Sequence, residues 1–408
     1  MTPDLLIVGG GPAGLAVAIG ARQAGLAATV LDRARPPIDK PCGEGLMPDG
    51  LALLEALGVA LPAAESAPFV GIRYVDGEVV ADGDFPAPSG AGARAAARPA
   101  RPAGLGVRRT VLHQALVRRA EAAGVELRWG ERVTGLAPAG PEGGPESGSK
   151  IRPEALPGVT TGAGTLRGRF LVGADGLRSE VRRWAGLAGR APAPADPRTR
   201  FGVRRHYRLA PWGERVEVHW SDRCEAYVTP VGPELVGVAM LWSGGKASFD
   251  ELLGRFPALL RRLRGAPAAS RDQGCGPLAQ RPQGVVRGRI ALVGDAAGYL
   301  DAITGEGLSL AFHQAAALVG AVTAAGGVGD LGRYARAHRR LCRLPEGLIR
   351  VILAVERRPR LRRRAIRALA ADPELFGRIL GVHARALPVS AFGVSGALRL
   401  AWRLAAAA

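Results

Sequence analysis

The sequence predicts an α/β protein: a three-layer domain built on a parallel sheet, a β-sheet domain inserted into it, and a helical C-terminus. Three observations carry this. Asp4 to Asp32 reads as strand, glycine-rich turn, helix and strand in succession. Two later apolar strands, one beginning at Phe170 and one over Arg289–Val293, run into Asp175-Gly176 and Gly294-Asp295, as further strands of the same sheet would. Between them lie four alternating segments separated by turn residues, and from Gly307 onward the spacing is helical.

Leu5 to Val8 is short and apolar, so a buried strand is expected there. Gly9, Gly11 and Gly14 follow as G-x-G-x-x-G, with Pro12 and Ala13 inside the motif, and Leu15 to Ala24 suits a helix. Gly9 permits a tight turn, Gly11 lets the backbone approach a pyrophosphate, and Gly14 lets the helix pack against the sheet. Unpaired N–H groups at the helix start favour phosphate. Thr29 to Leu31 begins the next strand, and Asp32, with Arg33 beside it, can accept hydrogen bonds from an adenosine ribose. Together these residues form a Rossmann-like nucleotide site. Gly327, Gly329 and Gly332 repeat the spacing without a preceding strand, and are read as a loop.

Phe85–Gly106 and Pro138–Gly164 are rich in small and turn-forming residues and are expected to be long loops. Between them a helix is expected over Val107–Glu121, then strands over Val125–Trp129 and Glu131–Leu136. Gly202–Tyr207, Arg215–Trp220, Ala226–Thr229 and Leu235–Trp242 suit a separate antiparallel sheet. This divides the chain into a cofactor domain (residues 1–70, 105–185 and 280–340), a substrate domain (71–104 and 186–279) and C-terminal helices (341–408).

The formal charge of +19 invites a nucleic-acid reading, but only Lys40, Lys150 and Lys246 are lysines among 55 basic residues, an arginine bias typical of composition rather than function. No nucleic-acid partner is expected. Residues 331–408 carry 17 Arg against 4 acidic residues, which suits either a solvated helix surface or peripheral contact with an anionic membrane. Cys42, Cys224, Cys275 and Cys342 are widely spaced, and the six histidines add no ligand pattern, so neither a metal site nor a disulfide framework is expected. With no secretory signal and no uninterrupted apolar run of spanning length, a cytoplasmic protein is expected, with the membrane surface as a second location.

FLVGADGLRSEVR from Phe170, IALVGDAAGYLDAITGEG from Ile290 and Arg109 in VRRTVLHQAL join the N-terminal unit in a pattern that resembles the single-component flavoprotein monooxygenases and the related geranylgeranyl reductases and halogenases. The resemblance implies a glutathione-reductase-type FAD-binding domain. It assigns Asp295 to a ribityl hydroxyl, Arg109 to the pyrophosphate and ribityl chain, and Val133 to a main-chain contact with adenine. Gly305, Glu306 and Gly307 would present backbone N–H groups to the pyrimidine edge of the flavin, and Asp175 would belong to the cofactor site or hold its loops together. DKPCGEGLMP, over Asp39–Pro48, resembles the cysteine-glycine loop of the reductase branch, which makes Cys42 and Glu44 candidate catalytic residues.

Departures from each branch are visible. Gly298, Ala302 and Glu306 stand where aromatic hydroxylases have His, Pro and Gln, and Glu225, Tyr227 and Thr229 stand where the reductases have Tyr, Trp and Phe. The halogenase tryptophan motif is absent. The resemblance therefore implies an FAD-dependent monooxygenase, with NADH or NADPH as reductant and an apolar phenolic or isoprenoid-like small-molecule substrate. Its alternatives are a flavin ene-reductase and a non-catalytic electron-transfer or membrane-surface protein. His219, and the aromatics Tyr207, Trp220, Tyr227 and Trp242, are candidates either to line a substrate pocket or to fill the core.

Overall fold

The computed structural model describes residues 2–87, 103–137, 156–189, 196, 198–324 and 331–407. Leu5–Val8 lies inside a six-stranded sheet ordered Val286–Arg287, Ile290–Leu292, Phe170–Gly173, Leu5–Val8, Ala28–Asp32, Glu126–Trp129. All neighbours are parallel except the edge pair at Val286–Arg287. A strand covered on both faces must be apolar along its length. Leu5, Leu6, Ile7 and Val8 are all buried, each contributing about 1.5–3 kcal/mol. Helices Pro12–Gln23, Arg109–Ala122 and Gly307–Ala324 pack on this core, and the antiparallel strands Val133–Leu136, Gly158–Thr161 and Gly164–Arg167 complete the layers.

Two loop expectations need correction where residues are described. Gly158–Thr161 and Gly164–Arg167 are strands inside the glycine-rich run, because Val159 and Thr161 are buried and pairing with Val133–Leu136 outweighs the local composition. Gly104–Val107 is also a strand; Gly106 is there for close approach, since a Cβ would sit 1.7 Å from the Pro230 carbonyl oxygen. The rest of both predicted loops, residues 88–102 and 138–155, and the glycines Gly327 and Gly329 lie outside the described residues. Gly332 opens a helix.

Helix Gly307–Ala324 corrects another expectation, since its 18 residues, with mean hydropathy 1.4, are long and apolar enough to cross a bilayer. It is packed in the core instead. Its buried Gln314 accepts a hydrogen bond from the Gly294 N–H at 2.7 Å, which ties it to the end of a sheet strand.

The second sheet has seven strands, ordered Gln273–Cys275, Arg200–Arg208, Leu235–Ser243, Cys224–Gly232, Arg215–Ser221, Gly71–Asp76, Val79–Asp84. The four strands expected from sequence form its centre. Strand periodicity of two then sorts the aromatics. Tyr207 and Trp242 share a face with Val203, Val228 and Met240 under helices Phe249–Leu253 and Pro257–Leu263. Trp220 and Tyr227 join Ile72, Val216 and Val218 on the opposite face, covered by Ile349, Ile366, Phe376 and Leu380 of helices Gly332–Glu356, Pro359–Ala370 and Pro373–His383.

Candidate functional site

The three glycines of the first turn are needed for two different reasons. Gly9 has φ +112°, and a Cβ there would lie 2.3 Å from the Ala174 carbonyl oxygen; one at Gly14 would lie 1.9 Å from the Gly9 oxygen. The fold itself requires both. At Gly11 the nearest atom to an added Cβ would be Arg109 Nη2 at 4.0 Å, so its missing side chain leaves open space that faces a guanidinium.

Asp32 and His113 hold this turn. Asp32 accepts the Gly10 N–H and the Ala34 N–H, each at 2.8 Å, while Arg33 is exposed. His113 Nδ1 accepts the Ile38 N–H at 3.3 Å, which leaves Nε2 to donate to the Gly10 carbonyl at 2.8 Å. Burial lowers the His113 pKa, consistent with that neutral tautomer. Sequence reasoning missed His113. Its signal was the four-residue spacing from Arg109, which puts both on one helix face.

The second half of the site is the turn after Ile290–Leu292. Arg182 is buried and donates to the carbonyls of Leu177, Asp295 and Ala296 and to Gln280 Oε1, which fixes the backbone around Asp295. The Asp295 carboxyl is pushed up by burial and pulled back by Arg109, Lys40 and Arg182. It accepts no hydrogen bond from the described residues. Asp175 instead caps helix Glu180–Trp184, accepting the Glu180 and Val181 N–H groups at 2.7 and 3.1 Å and the Ser179 hydroxyl. Val133 packs on the core cluster. Gly305, at φ +69°, turns the chain into helix Gly307–Ala324, and Glu306 is buried with its carboxylate accepting from the Thr304 hydroxyl at 3.2 Å.

These residues fit FAD. Arg109 Nε is buried without a partner, the Asp295 carboxylate near it is unengaged, and the space at Gly11 is open. Asp295→Ala is expected to leave the fold intact and weaken FAD binding by about 10 to 150-fold, the loss of one charge-assisted hydrogen bond of roughly 1.5–3 kcal/mol. Titration of the apoprotein with FAD measures it, and unchanged affinity would remove Asp295 from the site.

The Asp39–Pro48 loop is clamped to the second sheet by buried charges. Glu44, at φ +60° and 3% exposed, accepts from the Arg109 N–H and Arg204 Nη1 through Oε1, both at 2.8 Å. Its Oε2 lies 2.6 Å from His206 Nε2. Arg204 Nη2 also donates to both Asp39 carboxylate oxygens at 2.9 Å, and His206 Nδ1 meets the Ser270 hydroxyl. With both oxygens engaged, Glu44 is an anchor for the loop rather than a free acid. Cys42, beside it, is half-buried, and burial pushes its thiol up, so it stays protonated at neutral pH.

This loop forms one wall of a cavity of about 90 Å³. Gly43 and Gly45 face Tyr227 and Thr229 from the sheet, Ile303–Gly305 from the turn, and Leu348, Ile352 and Leu380 from the C-terminal helices. Three of its polar side chains are engaged with main chain. Tyr227 donates to the Ile303 carbonyl at 2.9 Å, Thr229 to the Gly43 carbonyl at 2.8 Å, and His383 Nε2 lies 3.0 Å from the Thr304 carbonyl. Beneath the turn, Arg200 pairs with Glu225 at 2.6 Å and Asp301 at 2.8 Å, and burial pushes the Glu225 carboxyl up to about 7. His219 pairs with Glu217 at 2.9 Å and does not line the cavity.

A family model described as an FAD binding domain matches residues 2–233. A menaquinone reductase from Mycobacterium tuberculosis is 43% identical over 88 residues, a match spanning 21% of this chain and 21% of that protein. The 3-amino-4-hydroxybenzoate 2-monooxygenase of Streptomyces cremeus is 29% identical over 373 residues, 84% of this chain and 86% of that one. Among solved structures, a flavoprotein/dehydrogenase from Cytophaga hutchinsonii superposes with a TM-score of 0.79 at 16% identity, covering 99% of this chain and 100% of the other.

Proposed function

This chain belongs to the FAD binding domain family and is an FAD-dependent oxidoreductase, and from that premise we propose an NAD(P)H-dependent monooxygenase that hydroxylates or epoxidises an apolar phenolic or isoprenoid-like substrate. The observation that carries the reading is the cavity, whose lining is mostly apolar, whose Tyr227, Thr229 and His383 side chains are engaged with main chain, and whose lining does not include the Cys42 thiol. Oxygen insertion asks for a dry apolar chamber and no protein acid aimed at the substrate. The lining of this pocket is mostly apolar, which supports that reading.

When bound and reduced by a nicotinamide, FAD supplies the electrons that activate O2. Arg109 and the turn at Gly11 would hold the phosphates and Asp295 a ribityl hydroxyl, while Arg182 keeps the Asp295 backbone in place. The Gly305–Gly307 turn and the positive end of helix Gly307–Ala324 would supply electrostatic support to negative charge on a bound flavin. Tyr227, Thr229, Leu348 and Ile352 shape the chamber that receives the substrate.

A second reading, saturation of an alkene, is favoured by the half-buried protonated thiol of Cys42 in a loop that walls the cavity and by the similarity to a menaquinone reductase. Turnover under heavy-isotope O2 separates the two. Oxygenation puts one labelled oxygen atom in the product, whereas reduction adds two hydrogens and no label. Cys42→Ser is expected to leave reduction of the flavin by NAD(P)H near normal in both cases. For the reductase it slows reoxidation by substrate about 10² to 10⁴-fold, the usual contribution of a general acid, and for the monooxygenase only a few-fold change follows. Separate stopped-flow measurement of the two half-reactions checks this.

A further inference from the structure

Helix Gly393–Ala406 is built the opposite way from the surface helix of a water-soluble domain. Its arginines turn inward: Arg399 pairs with Asp372 at 2.5 Å and with Glu374 at 3.3 Å, and Arg403 pairs with Asp372 at 3.3 Å. Arg364, on the neighbouring helix Pro359–Ala370, donates to the Leu404 carbonyl. With these contacts fixing the polar side, Val394, Leu398 and Trp402, spaced by four residues on one stripe, are 77%, 65% and 61% exposed. Leu344, Val351, Leu361 and Val389 are also exposed, and outside the C-terminal helices only Val80 and Leu260 are large exposed apolar residues among those described. Concentration of such residues on one part of the surface marks an interaction site.

Charge and position narrow the partner. Arg336, Arg339, Arg340, Arg343, Arg357, Arg360 and Arg367 are exposed on the same group of helices and have no carboxylate within salt-bridge distance among the described residues. An outward apolar stripe with tryptophan beside unpaired cations suits the interface of an anionic phospholipid bilayer. Nucleic acid would use the cations and leave the stripe in water. The same helices wall the cavity: Gly332–Glu356 contributes Leu348 and Ile352 to it while Leu344 and Val351 of that helix are exposed, and Pro373–His383 contributes Ile379 and Leu380.

We propose that the C-terminal helices form a peripheral docking surface for an anionic bilayer, seated through Val394, Leu398 and Trp402, from which a bilayer-dissolved substrate reaches the cavity. The docking stands on the surface alone; delivery of the substrate rests on the functional reading above.

The test is co-sedimentation of the FAD-loaded full chain with vesicles of phosphatidylcholine alone and of phosphatidylcholine with phosphatidylglycerol, at low and high salt. Binding is expected only with the anionic vesicles, and weakened by salt. Arg360→Gln/Arg367→Gln is expected to weaken it about 30-fold, at roughly a factor of five per cation. Leu398→Ser/Trp402→Ser is expected to weaken it at least about 10-fold. Flavin content and melting temperature of these surface variants should match wild type. Equal binding to neutral vesicles, indifference to the Leu398/Trp402 change, or a stable dimer that this change splits would each overturn the proposal. Turnover of a detergent-dispersed substrate is measured alongside, so that failure of docking with turnover intact is told apart from failure of the enzymatic reading.

Discussion

Replacing Gly11 with Val is expected to give a folded protein that no longer retains FAD. The structure separates this position from its neighbours. A Cβ at Gly9 or Gly14 collides with backbone at 2.3 or 1.9 Å, so Val at either position disrupts the turn itself. At Gly11 a side chain has only the Arg109 guanidinium near it, at 4.0 Å from the first added carbon, and nothing in the ligand-free fold opposes it. The isopropyl group then occupies the space between the turn and Arg109 that suits a pyrophosphate. Loss of the yellow chromophore on purification, with an unchanged far-ultraviolet circular dichroism spectrum, is the expected result. Full flavin occupancy in the variant would move the cofactor away from this turn, and a molten variant would mean that Gly11 is needed for folding.

The contrast between Gly11 and its neighbours also shows what local sequence can reveal. The spacing of Gly9, Gly11 and Gly14, the apolar run before them and Asp32 after them lie within one supersecondary unit, so strand, turn and helix were legible from a single window. The four central strands of the second sheet were legible for the same reason, by alternation. The sequence places residues 71–104 in the same domain, but the strands Gly71–Asp76 and Val79–Asp84 were not legible in it, because they join that sheet from far upstream, beside Arg215–Ser221, and no local pattern says which edge a strand will complete. Gly158–Thr161 was hidden by glycines that composition assigns to loops. Glu44 lies 160 residues before Arg204 and 162 before His206, and it meets them only once both sheets exist. In the sequence Glu44 was only a candidate catalytic residue, because its anchoring partners lay outside any motif. The cavity wall supplied by Leu348, Ile352 and Leu380 is hidden in the same way, behind a C-terminus whose most visible property is arginine content.

Glu44→Ala is expected to be among the most destabilising single substitutions in the chain, at about 3–5 kcal/mol, because it strands Arg204 and the Arg109 N–H inside the protein. Arg204 is 1% exposed, and with Glu44 gone the side chain of Asp39 is its one remaining carboxylate partner. Two comparisons isolate the cause. Glu44 has φ +60°, a conformation that costs Ala as much as it costs Glu, so Glu44→Gly should recover about 1 kcal/mol of the loss and no more. If glycine restored wild-type stability, backbone strain and not the stranded cation would be the explanation. Glu44→Ala combined with Arg204→Met removes the cation that would be left with Asp39 alone, so the double variant should be less destabilised than the sum of the two singles, with coupling of roughly 0.5–3 kcal/mol. Thermal melts of the four proteins measure this, with a drop of about 4–6 °C expected for Glu44→Ala. Additive effects would mean that the carboxylate and the guanidinium do not sense one another. The clamp would then have to rest on His206 and Asp39 alone, and the Cys42 loop would have no buried charge pair to hold it against the cavity.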